Sequence, residues 1–279
     1  MQCAVCRQNA QLWRVVDGHA YSDCDSCGSI AIDAASVILI DGGLFPRSYD
    51  PSYWEMEVQA ARSRSFGVSL ARAAETILYC RRPVNRFLDI GSGPGFFLDA
   101  ISAYLPSKSQ THFFAAEKFP PEVHTSHPGY LVGEVGDLEG TFDAGICVEV
   151  IEHLTPLMLD GILAQLALKS APQSLFLFNT GLPSYVKNED IGYMDPLRRG
   201  HIISWGWNAL RTAFGRHGFT IIPITGKSFA FLAEYQSIDP TRPEDRIWTA
   251  LPENSSLLRD PEMGEVMFIL GLDGARAYI

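Results

Sequence analysis

Lysine is scarce in this chain. Only five are present among 279 residues, the net charge is -10 and the pI is near 5.1. An acidic surface offers no general attraction to a phosphate backbone, which counts against a nucleic-acid substrate. The adjacent basic pairs are short, Arg81-Arg82 and Arg198-Arg199. No apolar run approaches the length of a membrane span; the nearest, Ile30 to Ile40, is interrupted by Asp33. The N-terminus lacks a basic region followed by an apolar core, so no secretory signal is expected and the chain reads as soluble and cytoplasmic. Internal repeats and low-complexity tracts are absent. Beyond residue 27 cysteine occurs only at Cys80 and Cys147, which excludes a distributed disulfide framework.

The other four cysteines form two pairs, Cys3-x-x-Cys6 and Cys24-x-x-Cys27, separated by 17 residues. That spacing suits two knuckles around a tetrahedral Zn²⁺, and four thiolates leave no open coordination position, so the role expected is structural. Residues 1–40 read as a zinc-ribbon-like module whose folding energy must come largely from the metal. The competing reading is four unconnected buried or redox cysteines.

Residues 41–83 read as a linker and a helical pre-domain region. Phe66, Leu70, Ala73, Ala74, Ile77 and Leu78 recur at helical spacing, and Pro83 stops the segment. From residue 84 to 279 strands and helices alternate, the mark of an α/β domain. Strands are expected at 86–90, 112–117, 130–133, 142–148, 174–179, 219–225 and 264–272, with helices at 96–105, 156–169 and 205–217. The segment 227–263 reads as a long polar insertion before the last strand.

Phe87-Leu88-Asp89-Ile90 runs into Gly91-Ser92-Gly93-Pro94-Gly95, after which Phe96 to Ile101 reads as helix. A strand, a tight turn and a helix N-terminus present bare backbone to a ligand. The dinucleotide fingerprint would require glycine where Phe96 stands. The turn instead resembles motif I of the class I methyltransferases that use S-adenosylmethionine, of the ubiquinone-biosynthesis and methyltransferase type 11, 12 and 23 group. The resemblance implies a Rossmann-like seven-stranded sheet with helices on both faces. It also implies a donor site built on Asp89, Gly91, Ser92, Gly93 and Gly95. Glu117 would meet the ribose hydroxyls, Asp137 would lie near the adenine amino group, and Glu149 would face the methyl-donor pocket. Glu117 follows Gly91 by 26 residues, more than the ~20 usual for the dinucleotide acid, so a solvated strand end is its alternative. Asp137 has a turn-forming role as its alternative.

Glu149-Val150-Ile151-Glu152-His153 closes an apolar strand with three polar groups. On a helical turn Glu149, Glu152 and His153 would share a face. The segment resembles that of ubiquinone-biosynthesis O-methyltransferases and small-RNA 2′-O-methyltransferases. In the latter, Glu-x-x-Glu-His and a later histidine, here matched by His201, bind a divalent ion. Two carboxylates and two imidazoles suit a borderline ion. A metal-free base or pocket wall, and a purely structural polar cluster, stand beside that reading.

The function expected is S-adenosylmethionine-dependent methylation of a hydroxylated small molecule such as a sugar, the ribbon resembling that of saccharide and natural-product tailoring enzymes. An RNA 2′-O-methyltransferase and a non-catalytic binding module are the alternatives. Oligomeric state is not legible.

Overall fold

The computed structural model describes residues 1–47, 51–239 and 241–277. The chain opens with β1 (Gln11–Val16), β2 (His19–Asp23), β3 (Ile30–Ile32) and α1 (Ala34–Asp41). Then come α2 (Pro51–Arg64), a π turn over Ser65–Ser69, and α3 (Leu70–Tyr79). The alternating region follows with β4 (Phe87–Ile90), α4 (Phe96–Tyr104), α5 (Ser109–His112), β5 (Phe113–Glu117), β6 (Tyr130–Val132) and β7 (Phe142–Val148). It continues through α6 (Pro156–Leu168), β8 (Ser170–Asn179), α7 (Pro183–Asn188), β9 (Ile203–Ser204), α8 (Trp207–Gly215), β10 (Phe219–Pro223) and β11 (Ala230–Tyr235). The chain ends in α9 (Pro243–Arg246), α10 (Pro252–Leu257) and α11 (Val266–Arg276).

Seven strands form one sheet in the order β10-β11-β8-β7-β4-β5-β6. The five from β8 to β6 are parallel, and β11 runs antiparallel to both its neighbours. The chain leaves β4 toward β6, then returns to place β7 on its other side. That reversal opens a crevice beyond the carboxyl ends of β4 and β7, where ligands bind in such sheets.

Alternate strand residues point to opposite faces and fill two cores. Leu88, Phe176, Phe178 and Phe231 join one core with α6, α8 and the N-terminal module. Phe87, Leu175, Leu177 and Leu232 join the other with α3, α4 and α11. The N-terminal module thus has no core of its own: Tyr21, Ile30 and Ile32 pack in the same cluster as Ile151 and Trp205. Its sheet, in the order β1-β2-β3-β9, takes its last strand from beyond residue 200.

The structure corrects the last strand. Residues 264–272 are not a strand; Val266–Arg276 is helix α11. Met267, Gly271 and Ala275 are its buried residues, a four-residue period that the apolar content of Val266 to Leu272 conceals. A Cβ on Gly271 would come within 2.9 Å of the Ala74 backbone, so α11 lies directly on α3. The seventh strand is Ala230–Tyr235, inside the segment read as an insertion. Gly226 and the residues around it make the hairpin between β10 and β11. The pre-domain helix is also interrupted by its π turn and stops at Tyr79, ahead of Pro83.

The C-terminal segment is fixed to the sheet by one buried carboxylate. Glu234 on β11 accepts from both terminal nitrogens of Arg246, at 3.0 and 3.1 Å, and from Arg81 at 2.9 Å. Arg82 pairs with Asp143 at 2.7 Å, so the Arg81-Arg82 dipeptide is neutralised within the fold. Glu234→Ala strands the buried Arg246 charge and is expected to cost about 3–5 kcal/mol, measured by denaturant unfolding.

Candidate active site and metal centres

The glycine turn begins where β4 ends at Ile90, still paired with Ala116 and Cys147. Gly91, Gly93 and Gly95 all have positive φ. At Gly91 (φ +68°) a Cβ would lie 2.6 Å from the Val150 side chain, and at Gly95 (φ +75°) 2.3 Å from that of Thr125. Both positions therefore exclude side chains by conformation and by space. Glu117, at the end of β5, accepts the Gly93 N–H and the Phe119 N–H, each at 2.8 Å and each on a different oxygen. One further lone pair remains on each oxygen, two acceptors side by side, as a ribose diol requires. Burial raises the Glu117 carboxyl above its usual range. Asp89, buried at the end of β4, is pushed up to about 7 by loss of solvent. Ser92 Oγ is buried without a partner among the described residues. Trp54 of α2 covers this turn, its ring 3.2 Å from where a Gly93 Cβ would stand. Of the aromatics ahead of the sheet, Tyr49 lies outside the described residues. Asp137 closes a turn: its Oδ2 accepts the Glu134 N–H at 2.9 Å.

The second cluster forms where β7 ends. Glu149 is not on a helical turn; its backbone is left-handed at φ +56°. A 3-10 turn over Ile151–His153 follows. The helical face expected for Glu149, Glu152 and His153 is thus replaced by a kink that brings the side chains together differently. His201 arrives from the loop before β9. Ligand atoms of Glu152, His153 and His201 all lie within 4.8 Å of one another. The two imidazole rings are 4.9 Å apart between centroids.

Both rings are held by their Nδ1 atoms. His153 Nδ1 lies 3.1 Å from the Gly200 carbonyl, and His201 Nδ1 lies 2.8 Å from the Tyr193 carbonyl. A carbonyl only accepts, so each Nδ1 carries the proton and each Nε2 is the basic nitrogen. Burial lowers both histidines below the usual imidazole range, which keeps them neutral.

Glu152 is fully buried. Its Oε1 accepts from the Tyr193 hydroxyl at 3.0 Å, while Oε2 has no partner among the described residues. Glu149 accepts from Asn179 Nδ2 at 3.0 Å. Arg72 Nε donates to the other end of the same amide at 3.2 Å, which fixes the amide's orientation. Burial first, and the Glu152 charge second, push Glu149 up to about 8. Among the described residues neither carboxylate has a lysine or arginine in ion-pair contact. Asn179 and Arg72 escaped the sequence reading because their partners lie 30 and 107 residues away. Tyr193 meets Glu152 from 41 residues further along the chain.

The residues fit a divalent ion. Two basic Nε2 atoms, each ring fixed from behind by a carbonyl, and an orphaned carboxylate oxygen form a donor set of the kind metals use. Ligand bonds near 2.1 Å place ligand atoms at most about 4.2 Å apart around one ion, and His201 Nε2 lies 3.9 Å from Glu152 Oε1.

The four N-terminal cysteines also converge. Cys3 and Cys27 Sγ are 3.7 Å apart, and Cys6 and Cys24 Sγ 3.5 Å. A tetrahedron of Zn–S bonds near 2.3 Å sets sulfurs about 3.8 Å apart, whereas a disulfide needs about 2.05 Å. The two knuckles are copies in hydrogen bonding. Cys3 N–H donates to Gln8 O and Arg7 N–H to Cys3 O; Cys24 N–H donates to Ser29 O and Gly28 N–H to Cys24 O. Arg7 (φ +65°) and Gly28 (φ +76°) hold equivalent positions. The cluster fits a zinc-ribbon-like module.

The sheet order, the glycine turn and the acid ending β5 define a class I S-adenosylmethionine-dependent methyltransferase. The family model described as methyltransferase domain matches residues 59–224. The chain belongs to that family. No curated protein matches it. Similar solved structures include CalS10 of Micromonospora echinaspora, an amino pentose methyltransferase with S-adenosylmethionine bound. It is 17% identical over 67% of this chain and 98% of that one, with a TM-score of 0.45. DesVI of Streptomyces venezuelae is 13% identical over 67% and 99%, TM-score 0.47. The magnesium protoporphyrin IX methyltransferase ChlM of Synechocystis PCC 6803, with S-adenosylhomocysteine bound, is 15% identical over 66% and 95%, TM-score 0.44.

Two outcomes follow for the donor side. Glu117→Gln loses charge-assisted bonds and is expected to weaken S-adenosylmethionine about tenfold or more, read by calorimetry. Asp89 is protonated in the native state up to about pH 7, whereas an unfolded aspartate ionises near pH 4. The unfolded state therefore binds fewer protons in that window, and native stability falls as pH rises through it. Asp89→Asn should raise the melting temperature of the ligand-free protein at pH 8 and change it little at pH 4, in matched thermal scans.

Proposed function

We propose that this enzyme methylates a hydroxyl of a small, polyhydroxylated metabolite, and that Glu149, Glu152, His153 and His201 form the acceptor side of the site with a divalent ion. The observation that carries the reading is the convergence of His201, from 48 residues further along the chain, with Glu152 and His153. An amine acceptor carries its own lone pair once neutral. A hydroxyl must lose a proton as its oxygen attacks, and the Glu149 carboxyl, pushed up to about 8 by burial, is a base suited to that need.

The reaction forms an O–CH₃ bond and breaks the sulfur–methyl bond of the sulfonium, leaving a neutral thioether. The glycine turn and Glu117 hold the donor. Asp89 and Ser92 are placed at the same turn to meet its polar groups. His153 and His201 would hold the ion through Nε2, and the carboxylate of Glu149, which is not one of the three groups that converge, takes the hydroxyl proton. Tyr193 fixes Glu152 beside the two imidazoles, and Asn179 fixes Glu149. When bound, a divalent ion supplies charge that acidifies an adjacent hydroxyl. Alignment of acceptor oxygen, methyl carbon and sulfur is the main task, because the donor is already reactive. Zinc at Cys3, Cys6, Cys24 and Cys27 has a structural part.

An RNA acceptor is less well supported: the chain carries a net charge of -10, and Arg81 and Arg82 are engaged in internal ion pairs.

The reading is tested by labelled methyl transfer to a panel of sugars, polyhydroxylated metabolites, amines and RNA, with metal analysis in parallel. One zinc per chain should survive His153→Ala and His201→Ala. A second, exchangeable ion should be lost in both, its affinity reduced at least about 100-fold, and methyl transfer to the hydroxylated acceptor lost with it. Methylation of RNA or amines alone, or an unchanged reaction in both variants, would refute it.

A further inference from the structure

The strip from Gly200 to Gly206 carries His201 into the acceptor cluster, and the N-terminal module holds that strip along one edge. Ile203 pairs with Ala31 and Ser204 with Ile30 in the β3–β9 ladder. The Ile32 N–H donates to the Ile202 carbonyl at 2.9 Å. The hydroxyl of Tyr21, whose side chain is fully buried, donates to the carbonyl of His201 itself at 2.7 Å. The Gly206 N–H donates to Ser29 Oγ at 2.9 Å, two residues beyond the zinc ligand Cys27. A Cβ on Gly206 would stand 2.2 Å from the Gly28 carbonyl carbon, so the knuckle and the strip touch backbone to backbone.

The opposite edge of the strip belongs to the acceptor cluster. The Ile202 N–H donates to the Glu152 carbonyl at 2.8 Å, and Trp205 Nε1 donates to the Ile151 carbonyl at 2.8 Å. The strip is therefore clamped between the second cysteine knuckle and the turn that bears Glu152 and His153. Among the described residues the donor turn has no such tie; the Gly91 and Ser92 N–H groups bond to Ala116 O and that of Gly93 to Glu117.

We infer that the zinc-ribbon-like module positions the acceptor half of the active site, with Tyr21 as the positioning residue for His201. Filling of the four-cysteine site fixes the knuckle, the knuckle fixes Ser29 and β3, and these fix the backbone from which the His201 ring projects. Emptying it releases His201 from Glu152 and His153 while leaving the donor site intact. Tyr21 touches no reacting atom. The inference rests on the acceptor role given to His201 above.

Tyr21→Phe keeps the ring and its packing but removes the hydroxyl that holds His201. Four measurements on the full chain are read together: zinc content, S-adenosylmethionine affinity, kcat for the acceptor, and solvent exchange of the His201 Nδ1 proton by nuclear magnetic resonance. Zinc content and donor affinity should stay at wild-type values. The Nδ1 proton should exchange faster and kcat should fall roughly tenfold or more, the size typical of losing a group that orients a ligand. Ser29→Ala, which removes a second tether, should move the same two readouts in the same direction, and so should chelation of the ribbon zinc. Wild-type proton exchange in both Tyr21→Phe and Ser29→Ala would overturn the inference. The His201→Ala variant separates the two claims. If it leaves kcat unchanged, the acceptor role of His201 fails, while the exchange of its ring proton in Tyr21→Phe still decides whether the ribbon positions it.

Discussion

Glu152 is fully buried and Glu149 partly buried beside it, and among the described residues neither carboxylate has a lysine or arginine in ion-pair contact. Such burial is expensive unless the groups are hydrogen-bonded, share a proton or meet a cation. Much of the surrounding architecture answers that constraint. Tyr193 and Asn179 donate to the carboxylates. Arg72 holds the Asn179 amide and also binds Glu75, which in turn binds the buried Lys227. Charges on α3 and on the β10–β11 hairpin therefore bear, through one amide, on the end of β7. The strained backbone at Glu149 belongs to the same arrangement, since left-handed conformations of non-glycine residues persist where surrounding contacts over-determine them.

The halves proposed for donor and acceptor are built from different parts of the fold. The donor half depends on β4, β5 and α2, and on glycines whose missing side chains leave room. The acceptor half depends on residues from β7, β8, the long loop after β8, and an N-terminal module that would be too small to fold around a core of its own. That module shares one continuous apolar cluster with α6 and α8. The four converging cysteines and the packing of the large domain therefore meet at the same interface.

The glycine turn and the acid beside it were legible in the sequence because their signal is local. Gly91, Gly93 and Gly95 lie within five residues, and strand polarity places Glu117 beside them. The cysteine pairs were legible for the same reason. The acceptor half was legible only as a resemblance, since nothing local ties His201 to Glu152. Arg72 and Tyr21 were not legible at all: their partners lie 107 and 180 residues away. The last strand was misassigned because Val266 to Leu272 is apolar enough for either period, while Ala230 to Tyr235 carries a buried charge, Glu234, that made it look like loop. Its partners, Arg81 and Arg246, explain the charge only once the fold is known.

The π turn at Ser65–Ser69 has a consequence for the helix it interrupts. One extra residue in a helical turn rotates everything on one side by about 100° relative to the other. α3 beyond it is buried among sheet and helix, whereas α2 before it sends Trp54 over the glycine turn and Arg62 over the rings of Phe66 and Phe96. The turn works as a phase-shifter, letting a single rod of chain satisfy two surfaces that no regular helix could face at once. The number of residues in it therefore sets which face of α2 meets the glycine turn, although none of the five carries a charge.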